Sequence, residues 1–139
     1  MSLSNYAKVS FVDGLHFTGK NKNGFKIDMG TNQIGEPTGL SPTELVLQAA
    51  GGCSSMDVVF ILRKRKIEPE QFELELDGVK RKEHPQVYES INLTYRAKGP
   101  GLTIPEMNRA VALSIDKYCS VFGMLKLTAK ITWKCELID

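Results

Sequence analysis

A chain of 139 residues with 42% hydrophobic and 24% charged residues suits one domain around one core and excludes a disordered chain. Lys plus Arg number 18 against 16 Asp plus Glu; the net charge of +2 gives no electrostatic ground for nucleic acid or an anionic membrane as main partner. Three widely spaced cysteines, an odd number, make no disulfide framework and fit a reducing compartment. The expectation is a single domain over residues 1–139, located in the cytoplasm.

The first thirty residues read as a three-stranded meander with one apolar face. Ala7, Val9 and Phe11 alternate with polar residues, so this segment predicts a strand and not the apolar run of a secretory signal. Asp13-Gly14 turns the chain, Leu15 and Phe17 resume the alternation, and Asn23-Gly24 turns it again before Phe25, Ile27 and Met29. Residues 30–40, rich in Gly, Thr, Asn and Pro, predict a loop.

A helix then starts with Ser41 as N-cap, Pro42 at the first helical position and Glu44 closing a capping box. It runs to about Lys66, and Pro69 stops it. Its charge-free stretch, Leu45 to Met56, is shorter than the roughly 20 residues a bilayer span needs. Apolar residues surround most of the axis, which predicts a buried helix. In so small a chain, covering it calls for a second subunit.

Two strands follow, one carrying Phe72, Leu74 and Leu76 and the other Val87, Ile91, Leu93, Tyr95 and Ala97. Thr103 and Glu106 open a second helix to about Tyr118, and the last strand puts Ala129, Ile131, Trp133, Cys135 and Leu137 on one face. The order βββ-α-ββ-α-β, with hairpins segregated from helices, predicts an α+β fold with antiparallel sheet.

Cys53 lies about three turns into the first helix, in AAGGCSSMD. Glycine costs about 1 kcal/mol in a helix interior relative to alanine, so Gly51 and Gly52 predict a close approach there. Ala49, Ala50, Met56, Asp57 and Phe60 share the face of Cys53. A buried, unreactive cysteine satisfies this pattern as well as a reactive one. Asp57 is a charge in an apolar segment and needs a partner, with Lys117 and Arg109 as candidates. Glu44 lies on the opposite side of the helix, and its cap role suffices to explain it.

Cys119 follows the second helix in DKYCSVFGML. A further helical turn opening at Cys119 or Ser120 would direct backbone N–H groups at its thiol. Cys135 reads as structural. Gly14, Gly19 and Lys20 imitate a phosphate loop but sit in a hairpin. Arg63 to Lys66 complement a helix C-terminus. The cysteines, His16 and His84 lack the local spacing of a zinc motif, so neither a metal nor a cofactor is expected.

The segments GLSPTELVLQAAGGCSSMDVV (residues 39–59) and IDKYCSVFGML (residues 115–125) resemble the two cysteine motifs of the OsmC/Ohr family. GGCS-x-x-D-V-V and KYCSV are similar to its YhfA-like branch. The resemblance implies an intertwined homodimer in which sheets flank long central helices. It implies thiol peroxidase chemistry on organic hydroperoxides, with Cys53 attacking, Cys119 resolving and an external dithiol reducing the pair. Met56, Phe60, Asp57 and Glu44 would then line or tune the pocket. The family's peroxidases also use an N-terminal arginine and a glutamate at the helix start. Here no arginine precedes Arg63, and the glutamate position falls on Thr43. The alternative is a non-catalytic dimeric module that binds a small apolar or electrophilic ligand.

Overall fold

The computed structural model describes residues 3–31, 35 and 37–139, which form two compact units divided between Val46 and Leu47. The loop expected over residues 30–40 lies partly outside the described residues.

In the first unit, β1 (Lys8–Asp13), β2 (His16–Lys20) and β3 (Lys26–Met29) form an antiparallel sheet in chain order. Gly14 and Gly24 take positive φ at its two turns, as the Asp-Gly and Asn-Gly signals require. Phe11 pairs with Phe17 in register, their rings edge to face at 5.5 Å. His16 bonds Asp28 across the sheet at 2.9 Å, which accounts for that histidine. Among the described residues of this unit nothing buries the alternating apolar residues, and no side chain of the three strands is buried.

Helix α1 spans Pro42–Lys64. Its start is the predicted capping box: the Ser41 N–H donates to Glu44 Oε1 at 2.9 Å and the Glu44 N–H donates to Ser41 Oγ at 3.2 Å. Lys66, in the left-handed region at φ 61°, turns the chain out of the helix ahead of Pro69. Arg63 pairs with nearby Glu68 at 2.8 Å and Arg65 with Glu106, 41 residues on, at 2.7 Å, so half of the basic run is tied into ion pairs.

The second unit holds β4 (Gln71–Lys80), β5 (Tyr88–Lys98) and β6 (Lys130–Leu137) in one sheet of that order. The expectation of a purely antiparallel sheet is corrected here, because β6 lies parallel to β5. A parallel neighbour needs a long crossover. It is supplied by α2 (Ile104–Leu113), a π-helical turn (Ser114–Tyr118) and α3 (Ser120–Leu125). The predicted second helix is thus shorter and broken.

Central strand β5 buries Ile91, Leu93, Tyr95 and Ala97 against Val58 and Leu62 of α1 and Met107, Ala110 and Val111 of α2. Gly51 has its reason in this packing, since a Cβ there would lie 2.9 Å from Leu76 Cδ1 on β4. Gly52 meets nothing within 4 Å. At 23 residues α1 is long and apolar enough to cross a membrane by length and composition; in this chain one face of it is core. Within the single chain the helix is covered on one side only, with Met56 76% and Phe60 58% exposed, because one sheet covers only one side of a helix.

Candidate functional site

Cys53 and Asp57 are one helical turn apart on α1 and therefore share a face. Cys119 caps α3, its Sγ accepting the Phe122 N–H at 3.5 Å. The π-helical turn carries the extra residue that swings the chain from α2 into this cap. The three side chains converge: the two sulfurs and an Asp57 carboxylate oxygen all lie within 4.8 Å of one another.

Cys53 is half-buried and Cys119 buried. Burial pushes the Cys119 thiol well above the ordinary range; the Phe122 N–H offsets part of this, and the neighbouring Cys53 thiol adds to it. Cys135, on β6, is outside this cluster, and burial pushes it up to about 11.

A chain of buried hydroxyls ends at the carboxylate. Ser114 Oγ donates to Asp57 Oδ2 at 2.9 Å, Ser54 Oγ lies 2.8 Å from Ser114 Oγ, and Tyr95 Oη lies 2.6 Å from Ser54 Oγ. An ionised carboxylate only accepts, so Ser114 spends its proton on Asp57. Ser54 must then donate to Ser114, and Tyr95 to Ser54. Every dipole in the chain points at Asp57, which is how a charge is kept in an apolar helix face. Burial also raises the Tyr95 phenol above its usual value, so it remains the donor at the head.

The charged partners expected for Asp57 are corrected. Arg109 lines the same cleft without an ion pair to Asp57, and Lys117 sits over the Tyr118 ring at 5.2 Å. Among the described residues no Lys, Arg or His nitrogen comes within 4.0 Å of the Asp57 carboxylate. The cleft, about 380 Å³, is lined by Asp57, Phe60, Ile61, Leu113, Tyr118 and the basic residues Lys64, Arg65 and Arg109. Phe60 therefore stands at the cleft beside Asp57, whereas Met56 points to the open side of α1. Glu44 is engaged in the cap with Ser41.

Ser54, Ser114 and Tyr95 were not legible as site residues. Ser54 offered one signal, a hydroxyl within an apolar helix that must find a partner. Ser114 and Tyr95 offered none, because their pairing joins separate elements.

The family model described as OsmC-like protein matches residues 35–134. The chain is 41% identical to Protein YhfA of Escherichia coli K12 over 132 residues, covering 95% of this chain and 97% of that protein. Among solved structures, the OsmC-like protein from Mycoplasma pneumoniae superposes with a TM-score of 0.86 at 14% identity, each chain covered in full (100%). An organic hydroperoxide resistance protein OsmC from Legionella pneumophila superposes at 0.72 with 16% identity, over 98% of this chain and 99% of that one. At such identities these two likenesses bear on the fold.

Proposed function

Since the chain belongs to the OsmC family, we propose that it is a cytoplasmic, single-domain thiol peroxidase that reduces organic hydroperoxides through Cys53 and Cys119. The observation that carries this reading is the meeting of two thiols from distant parts of the chain, their sulfurs within 4.8 Å of each other. The name organic hydroperoxide resistance protein, borne by structural neighbours, supplies the substrate class.

Cys53, the more exposed thiol, attacks. Its sulfur takes the terminal oxygen of the hydroperoxide, the O–O bond breaks, the alcohol leaves with a proton, and a sulfenic acid remains. The Cys119 sulfur then displaces that oxygen as water and forms the disulfide. An external dithiol, oxidised in turn, returns both cysteines to thiols. Asp57, one turn from Cys53, lines a cleft whose Phe60, Ile61 and Leu113 suit an organic group. A second copy of the chain is the proposed cover for the open side of α1 around Gly52 and Met56.

One observation favours the second reading, a non-catalytic module for a small apolar or electrophilic ligand. The group beside the thiols is a carboxylate, and a neighbouring anion opposes thiolate formation. Thiol counting and mass spectrometry after one equivalent of cumene hydroperoxide, on metal-free wild type and Cys119→Ser, separate the two. The peroxidase gives a Cys53–Cys119 disulfide, replaced in the variant by sulfenic acid at Cys53. Thiols that stay reduced in excess peroxide would leave the binding module.

A further inference from the structure

We propose that Cys53, Asp57 and Cys119 form a binding site for a thiophilic divalent cation, Zn²⁺ by chemical class. The inference does not rest on the peroxidase reading. It starts from the donor set: two sulfurs and one carboxylate oxygen, from three residues on two separate segments, mutually within 4.8 Å.

A tetrahedral zinc ion, with Zn–S about 2.3 Å and Zn–O about 2.0–2.2 Å, holds its ligand atoms roughly 3.6–3.8 Å apart. The cluster therefore has to contract by at most about 1 Å, within reach of side-chain rotation. Two thiolates exclude Mg²⁺ and Ca²⁺, which take oxygen ligands, and select a softer ion.

The surroundings fit as well. The Ser114 hydroxyl holds the Asp57 carboxylate through Oδ2, the kind of outer hydrogen bond that orients a metal ligand. No basic side chain among the described residues is ion-paired to that carboxylate, although Lys64, Arg65 and Arg109 line the same cleft. Asp57 also lines the neighbouring cleft, so its carboxylate connects the cluster with solvent. The local-spacing rules that argued against zinc do not apply, because tertiary folding brings Cys119 to α1.

The test is anaerobic titration of the reduced, full-length chain with Co²⁺, followed by displacement with Zn²⁺. The expected result is one Co²⁺ per chain with sulfur-to-cobalt charge transfer and the intense visible bands of a tetrahedral site, abolished by stoichiometric Zn²⁺. Cys53→Ser and Cys119→Ser each remove one thiolate and weaken these bands. Asp57→Asn loosens binding at least about tenfold. Cys135→Ser leaves the spectrum unchanged. X-ray absorption on the wild-type zinc form should count two sulfurs at about 2.3 Å, a readout that requires no variant to fold. A six-coordinate, weakly absorbing cobalt spectrum, a zinc shell without sulfur, or loss of the bands in Cys135→Ser would each overturn the proposal. The peroxide experiment uses metal-free protein, so either result stands whatever the other shows.

Discussion

In β1 Val9 and Phe11 are 60% and 65% exposed, whereas in β5 Ile91, Leu93, Tyr95 and Ala97 are wholly buried. Both sheets are three-stranded, and both contain strands that alternate apolar with polar residues. The difference lies in the second layer. Strands β4–β6 have α1 and α2 packed on one face, while the described residues of the first unit include no helix beyond the opening turn of α1. A sheet with one apolar face is half of a structure, and the alternation that makes the strand does not supply its cover.

The largest expected effect tests that contrast directly. Leu93→Ala removes a fully buried side chain and should lower the unfolding free energy by about 2–5 kcal/mol in urea denaturation. Phe11→Ala should cost under about 1 kcal/mol in dilute solution. If a second copy covers apolar surface, the wild-type midpoint will rise with protein concentration. A Phe11→Ala cost matching that of Leu93→Ala would break the contrast and show the first sheet to be as tightly covered as the second.

A smaller effect tests the polar chain inside the second unit. Ser54→Ala leaves the buried Tyr95 hydroxyl without its acceptor and should destabilise by about 1–3 kcal/mol. Tyr95→Phe, which removes only the terminal donor, should cost less. Equal costs for the two would mean that the hydroxyls do not act as one directed chain.

The smallest effect is one of pH. The Cys135 thiol lies at about 11 in the fold against an ordinary 9.0, so the unfolded chain gives up this proton first. The raised value contributes stability that is complete below pH 9 and is lost as pH rises towards about 11. Urea midpoints across that window should fall more steeply for wild type than for Cys135→Ala. Parallel curves would place Cys135 in an environment as wet as that of the exposed first sheet.

Much of the local structure was legible because its causes are local. The capping box at Ser41 and Glu44, the turn glycines Gly14 and Gly24, and the exit from α1 before Pro69 each follow from a few neighbouring residues. The alternation in β6 likewise placed Cys135 on the core side. The site was half legible. Cys53 and Asp57 share a helix face by periodicity alone, and Cys119 stood out by its place after the second helix.

What only the tertiary structure decided concerns pairs of elements. The parallel joining of β6 to β5, the meeting of Cys119 with Cys53, and the line from Tyr95 through Ser54 and Ser114 to Asp57 all join residues distant along the chain. Periodicity tells a residue which way to face, but not what it will face. That second answer depends on how whole elements pack, and here it brought a lone helix carboxylate and two scattered thiols within 4.8 Å of one another.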